Sequence, residues 1–178
     1  YDSAVVFYHA MLEIEPNNSD AITGIGRFFN QQARWASDSA SAYKEAGDEA
    51  QDKAWRDKRQ ELFDSSGVYF KQAFDLLLED EFVASEYGRI TYLSGDFEQS
   101  AIAFKRLTDI RPQENDYWVT LGDCYLQLQR FPEAIAAYEG ALQTEPNARD
   151  ILENLKDLYH NEHNSEKEAE MVERLKKL

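Results

Sequence analysis

The chain has 178 residues, of which 43% are hydrophobic and 30% are charged, a composition typical of a folded protein and not of a disordered segment. It carries 34 acidic residues against 19 basic ones, and the formal net charge of −15 argues against nucleic acid or an anionic membrane surface as a partner. No apolar run approaches the ~20 residues that cross a bilayer, so we expect a soluble protein without direct membrane insertion. Because the chain opens at Tyr1 rather than Met, we expect a piece of a longer protein, and its compartment, cytoplasm or periplasm, stays open.

Residues 1–16 predict a single helix that ends at a proline. Small, aromatic and apolar residues precede this proline at the spacing found in a later segment of the chain: Ala4, Tyr8, Met11 and Pro16 against Ala134, Tyr138, Ala141 and Pro146. In the later segment this pattern lies on the second helix of a helical pair. We therefore expect residues 1–16 to be the second helix of a repeat whose first helix is absent from this sequence.

Residues 19–80 predict a longer helical pair that carries an insertion. This unit has 62 residues, 28 more than the 34-residue spacing that recurs later in the chain. The extra residues, about 33–62, contain no proline and are rich in alanine, so they favour helix. Gly47-Asp48 is a helix stop followed by a helix cap, which predicts a protruding helical hairpin with 14 added residues on each side. One continuous helix over residues 20–79 is the alternative.

Three large aromatic residues lie within this predicted hairpin: Trp35, Tyr43 and Trp55. They could hold the two helices together along their seam. Alternatively, Trp35 or Trp55 stays partly exposed and contacts a partner protein or a second copy of the chain. The sequence leaves both interpretations open.

The rest of the chain predicts three further helical pairs, over residues 81–114, 115–148 and 149–178. Stepping back 34 residues carries Pro146 to Pro112 and Gly122 to Gly88, which is strong evidence for repetition. The last helix is rich in Glu, Lys and Arg, as expected for a terminal repeat with a polar outer face.

Residues 115–148 carry the most specific pattern. Trp118-x2-Leu121-Gly122-x2-Tyr125 is followed by Ala134-x3-Tyr138 and Pro146. This resembles the tetratricopeptide repeat, a helix–turn–helix unit of 34 residues. The resemblance implies an all-α fold over residues 1–178, a single domain in which about four and a half repeats form a right-handed superhelix, or α-solenoid. It also implies a protein–protein interaction scaffold.

In such arrays the first helices of successive repeats line a concave groove that holds a peptide or a helix of a partner. The residues that this register assigns to the groove are Arg27, Asn30, Gln31, Arg89, Tyr92, Asp123, Gln127 and Asp157. We expect Arg27 and Arg89 to come together at a basic end, and Asp123 with Asp157 to form an acidic end. The alternative is that these four side chains are solvated or pair with neighbours on the same face.

No catalytic constellation, metal site or cofactor site is predicted. His160 and His163 lack a third firm metal ligand, and Gly24-x-Gly26 lacks the strand and the third glycine of a dinucleotide motif. The single cysteine, Cys124, is expected to be a buried structural thiol.

The predicted function is therefore a non-enzymatic scaffold that binds a protein or peptide partner. The acidic charge indicates either a basic segment in that partner or, equally, a need for solubility or a high-salt habitat. The predicted hairpin provides a second contact surface. Three alternatives remain: a chaperone or assembly factor for a basic client, a self-assembling scaffold that forms homo-oligomers, and a regulatory region of a larger enzyme.

Overall fold

The structure is a computed structural model that describes residues 2–178. Within this range nine helices follow one another without a strand: α1 (Asp2–Ile14), α2 (Ser19–Glu45), α3 (Glu49–Leu76), α4 (Glu81–Ser94), α5 (Phe97–Ile110), α6 (Asn115–Gln127), α7 (Phe131–Thr144), α8 (Arg149–Asn161) and α9 (Ser165–Lys176). The all-α fold class predicted from the sequence is confirmed. No helix among these is both long enough and apolar enough to cross a membrane.

The helices form two compact units, one ending at Ile90 and one beginning at Thr91. The boundary falls within α4. Unit 1 contains α1, α2, α3 and most of α4, whereas unit 2 contains the last residues of α4 and the helices α5 to α9.

Four connections share one backbone geometry. In each of them one residue adopts a left-handed conformation, with φ between 56° and 81°: Gly47, Gly95, Gln129 and His163. In each, the N–H of the next residue donates to the carbonyl five residues earlier, namely Asp48 to Tyr43 (3.0 Å), Asp96 to Thr91 (2.9 Å), Arg130 to Tyr125 (2.8 Å) and Asn164 to Tyr159 (2.9 Å). This is a Schellman motif, which satisfies the last free carbonyls of a helix while it turns the chain.

The positions of these turns measure the length added to α2 and α3. From Gly122 to the turn at Gln129 is 7 residues, and from there to the ring of Tyr138 is 9. From Gly26 to the turn at Gly47 is 21 residues, and from there to Phe70 is 23. Each helix is therefore 14 residues longer than its counterpart in unit 2.

The sequence on either side of the added residues matches the next helical pair. Omission of residues 33–46 and 49–62 would join Gly47-Asp48 directly to Phe63. The joined sequence GDFDSSGVYF then aligns with GDFEQSAIAF of residues 95–104. Its Ser66 and the matching Ser100 are both completely buried. Residues 33–62 are called the arm below.

Unit 1 depends on close contact between α2 and α3 at Gly26. A Cβ atom at this position would lie 3.2 Å from the ring of Phe70, so a larger residue would push the ring away. The hydroxyl of Ser66 donates to the carbonyl oxygen of Gly26 at 2.9 Å, which fixes the two helices at the same point. Ile22 and Ile25 are fully buried beside this contact. Burial of such a side chain contributes about 1.5–3 kcal/mol.

Unit 2 has the corresponding contact at Gly122. A Cβ atom there would lie 2.6 Å from the ring of Tyr138, which is fully buried. The core continues from this ring to Leu152 and Leu155 on α8 and to Met171 on α9. Met171 is the one buried residue of α9. This agrees with the polar outer face expected of the last helix.

Gln129 provides a test of the turn geometry. A side chain in the left-handed region costs about 1–2 kcal/mol, which glycine avoids, although glycine also gives the unfolded chain more freedom. We therefore expect Gln129→Gly to raise the free energy of unfolding by about 0.5–1 kcal/mol. Urea denaturation followed by circular dichroism measures this change.

The control is Thr120→Gly, in the middle of α6. Glycine inside a helix lowers stability by about 1 kcal/mol. Equal losses in the two variants would contradict the assigned turn.

The alignment of the joined sequence predicts that the arm can be removed. Deletion of residues 33–46 and 49–62 keeps the turn at Gly47 and the seven-residue spacing to the Gly26 contact. We expect this variant to remain helical and to melt cooperatively in calorimetry.

The matched control removes the same number of residues, 33–44 and 49–64, but moves Phe70 out of register with Gly26. We expect it to lose cooperative melting. If both deletions behave alike, the register does not depend on the contact between Gly26 and Phe70.

Candidate interaction surfaces

An open groove of about 700 Å³ lies in unit 1 between α1, α2 and the start of α4. It is called the α1–α2 groove, and its lining residues include Tyr8, Asp20, Thr23, Arg27, Gln31 and Phe82. Two of the residues predicted to bind a partner, Arg27 and Gln31, are exposed here. Both also line a smaller adjoining depression of about 250 Å³, together with Arg34.

Arg27 lies over the ring of Phe82, with its guanidinium carbon 4.3 Å from the ring centroid. Phe82 is 40% exposed, so the ring forms part of the surface. Within residues 3–178 no carboxylate pairs with Arg27. A cation–π contact at an exposed site contributes about 0.5–1 kcal/mol and leaves the N–H donors of the guanidinium available to a ligand.

Asn30 belongs to a polar network that holds Arg89. The Asn30 side chain is 6% exposed; its amide nitrogen donates to the carboxylate of Glu86, and its oxygen accepts from Arg89 at 3.2 Å. Arg89 also donates to Glu86 at 2.9 Å. The charge of Arg89 is thus matched inside the protein, and Asn30 connects α2 to α4.

The basic end predicted for the groove combines Arg27 with Arg89, and this arrangement stays a prediction. Arg27 lies over Phe82, whereas Arg89 pairs with Glu86. Asn30 and Glu86, the two partners of Arg89, line the same depression as Arg27. Arg34 is exposed and lines the depression beside Arg27. Arg89 pairs with Glu86 because Glu86 lies about one helical turn earlier on the same helix.

In unit 2, Asp123 takes part in a structural hydrogen bond. It accepts from the hydroxyl of the buried Tyr138 at 2.6 Å. Burial raises the pKa of Asp123 above its ordinary value of 3.8, and the hydrogen bond from Tyr138 offsets only part of this change. Burial, and then the nearby Asp123, also raise the pKa of Tyr138 well above its usual range.

The other predicted groove residues of unit 2 have different surroundings. Tyr92 packs edge-on against Phe97, with ring centroids 5.4 Å apart. Its pKa is raised by burial and then by Asp123. Gln127 is exposed, and Asp157 is exposed and pairs with Lys156 at 3.0 Å. The structure thus joins Asp123 to the core through Tyr138, whereas Asp157 is a surface ion pair of the kind that contributes little.

Cys124, His160 and His163 take part in packing, hydrogen bonding or turn formation. Cys124 is fully buried, and its sulfur lies 3.2 Å from the hydroxyl of Ser100. Burial raises the pKa of this thiol, which disfavours the nucleophilic thiolate. His160 lies 3.1 Å from a carboxylate oxygen of Glu168, and His163 forms the left-handed turn.

The arm carries an apolar groove on one side. The rings of Trp35 and Trp55 meet edge to face, with centroids 4.9 Å apart and an angle of 87° between them. Trp35 is nevertheless 57% exposed, and Tyr43 is 37% exposed. Beside them lies a groove of about 460 Å³ that also includes Ala54 and Leu62. The two tryptophans therefore join the helices and also form an open aromatic surface.

Comparison with known proteins identifies the repeats. Residues 90–149 match the tetratricopeptide repeat family. This part of the chain contains tetratricopeptide repeats. The resemblance predicted from residues 115–148 is confirmed.

The fold as a whole is similar to solved structures of MamA. One crystal structure of MamA has a TM-score of 0.60 and 18% sequence identity, with 99% of this chain and 85% of that chain covered. MamA AMB-1 has a TM-score of 0.60 at 16% identity, covering 100% of this chain and 93% of the other. The MamA RS-1 ArsTM double mutant has 0.58 at 12% identity, covering 99% and 83%.

No protein among the curated sequences matches this chain. At this level of identity the likeness to MamA shows the fold alone. It confirms the predicted fold class, an α-solenoid of tetratricopeptide repeats.

Phe82, whose ring lies under Arg27, is a groove residue that was not predicted from the sequence. It occupies the first turn of α4, where the first helices of the other tetratricopeptide pairs have an acidic residue: Asp20, Asp116 and Asp150. Phe82 is the exception in that series, and comparison of the repeats at this one position would have found it. Glu86, the partner of Arg89, gives no comparable signal.

The raised pKa of Asp123 predicts how stability depends on pH. The folded protein holds the Asp123 proton more tightly than the unfolded chain does, so this group's contribution to stability falls as pH rises above 3.8. Asp123→Asn removes the titration but keeps an oxygen that accepts from Tyr138. We therefore expect the free energy of unfolding of Asp123→Asn, relative to the native sequence, to increase between about pH 4 and pH 7.

Urea denaturation at a series of pH values measures this difference. The exposed Asp157→Asn is the control for loss of one negative charge. A difference between Asp123→Asn and the native sequence that stays constant with pH would contradict the prediction.

Proposed function

We propose that this chain is a non-enzymatic scaffold that binds a segment of a partner protein in the α1–α2 groove, with the arm as a second contact surface. The tetratricopeptide repeats and the MamA-like fold support a protein–protein interaction scaffold in general. Proteins of this repeat type are typically not catalytic. The particular groove, the arm and the partner chemistry are the proposed part.

Arg27 is the observation that carries the proposal. Its guanidinium is exposed in an open groove, rests on an aromatic ring and has no carboxylate partner among residues 3–178. Although the protein has 34 acidic residues, none of those that are described pairs with Arg27, so its guanidinium is available to a carboxylate of another molecule. A guanidinium–carboxylate pair can form two parallel hydrogen bonds, which gives it both strength and orientation.

The partner segment is proposed to combine this acidic group with basic residues. The net charge of −15 accelerates the approach of a basic segment, particularly at low salt. The acidic group then fixes its position at Arg27. Exposed Gln31 provides an amide donor and acceptor along the same groove.

The arm is proposed as an addition to the repeat of residues 19–80. Trp35 supplies an exposed aromatic surface next to a groove with Leu62 and Ala54 on its walls. Tryptophan is among the residues that dominate binding energy at protein interfaces. A partner that contacts both the α1–α2 groove and the arm would gain affinity from two linked sites.

Site-specific photo-crosslinking tests the proposal. A photoreactive amino acid at Gln31 is expected to capture the partner, whereas the same group at Gln143, an exposed glutamine of α7, is the control. Affinities of purified variants for the captured protein then decide the site. We expect Arg27→Gln and Trp35→Ala each to weaken binding about tenfold or more, as for the loss of a charge-assisted hydrogen bond or an aromatic anchor.

Arg149→Gln, which removes an exposed charge from α8, should leave the affinity within about twofold. Equal capture at Gln31 and Gln143 would contradict the groove. Unchanged affinity in both Arg27→Gln and Trp35→Ala would contradict the whole proposal.

A further inference from the structure

Basic side chains without an ion-pair partner are concentrated on α2 and α3. Among residues 3–178, those with no ion pair are Arg27, Arg34, Lys44, Lys53 and Arg59. Four of these five belong to the arm. The arm as a whole holds six basic and seven acidic residues, a net charge of −1, whereas the remaining residues hold 13 basic and 27 acidic ones, a net charge of −14.

Two of these cations face a cleft on the arm that is separate from the groove beside the tryptophans. The cleft has a volume of about 260 Å³, with the buried Ala40 among its lining residues. Ser37, Ser41 and Lys44 line it from α2, and Asp52, Arg56 and Arg59 line it from α3. Both sets are spaced at i, i+4 and i+7, which places the members of each set on one face of its helix.

Arg59 is the best evidence that the cleft is a binding site. Its Nε atom is buried and has no hydrogen-bond partner in the described part of the chain. The other N–H groups of Arg59, which lines the cleft and has no ion pair among residues 3–178, are available to an anion bound there. Lys44 across the cleft has no carboxylate partner either.

Arg56 adds a third cation whose direction is fixed. It donates to both carboxylate oxygens of Asp52, from Nε at 2.8 Å and from Nη2 at 2.6 Å. Asp52 is the one acidic residue that lines the cleft. Three cations and one carboxylate leave a local charge of +2 in a protein whose total charge is −15.

We propose that this cleft, lined by Ser37, Ser41, Lys44, Arg56 and Arg59, binds a phosphoryl group. A phosphate monoester carries a charge of about −1.5 to −2 at neutral pH and has three strong acceptor oxygens. The Ser41 hydroxyl donates to the carbonyl of Ser37, and Arg56 uses Nε and Nη2 on Asp52. The guanidinium of Arg59, the ammonium group of Lys44, the Ser37 hydroxyl and Nη1 of Arg56 still offer more donors than the two oxygens of a carboxylate can use. The phosphoryl group belongs either to free phosphate or to a phosphorylated side chain of a partner polypeptide.

Titration of the full chain followed by amide NMR tests the site. Inorganic phosphate is added at constant ionic strength, with chloride as the balancing anion. We expect saturable shifts confined to amides near Lys44 and Arg59, and a higher affinity at pH 7.5 than at pH 5, where phosphate is a monoanion. Arg59→Gln should weaken binding about tenfold and Lys44→Gln severalfold.

Lys53→Gln is the matched control, because it removes another unpaired cation of the arm that does not line the cleft. It should change the affinity less than twofold. No saturable shift, or an equal loss in Lys53→Gln and Arg59→Gln, would overturn the proposal.

Short peptides with and without one phosphoserine distinguish the source of the group. Tighter binding of the phosphopeptide than of inorganic phosphate, lost in Arg59→Gln, assigns the site to a phosphorylated partner. Equal binding of the two assigns it to phosphate alone. Failure of this titration leaves the proposed function unaffected, because Arg27 of the α1–α2 groove and Trp35 of the arm both lie outside the cleft.

Discussion

Contact between a glycine on one helix and an aromatic ring on the next is the constraint on which both units depend. At Gly26 and Gly122 a Cβ atom would lie closer to the ring of Phe70 or Tyr138 than a normal van der Waals contact allows. The absent Cβ lets the two helices approach closely, and the ring fills the space between them. Because the ring is fully buried in both units, the register of the helical pair is set where this contact forms.

The sequence predicted the architecture well because backbone stops and close helix contacts need particular residues. Gly47-Asp48 marks the end of α2 and the start of α3, and Gly122 with Tyr138 marks the packing point in unit 2. Such residues can be recognised one at a time. The division of the added residues into 14 on each side was also readable from the turn.

The candidate site was less predictable because it depends on which side chain reaches which neighbour. Arg27 and Arg89 occupy equivalent positions, yet one lies over Phe82 and the other pairs with Glu86. The repeat register gives positions on a helix face, but it does not tell which of several nearby acids will satisfy a cation. Asp123 was likewise predicted to face a ligand. The packing of α7 instead brings the Tyr138 hydroxyl within hydrogen-bond distance of its carboxylate.

The length added to α2 and α3 has a consequence for how the arm can change. Fourteen residues make about 3.9 helical turns, so the arm returns to nearly the same angular phase as the helices from which it grows. Insertion or loss of two residues in one helix would turn the side chains beyond that point by about 200°, so they would no longer face their partners on the other helix. Additions close to a whole number of turns, such as about 7, 11 or 14 residues in each helix, keep both faces in phase. A family of such arms would come in discrete sizes, each presenting the same two faces at a different distance from the repeat.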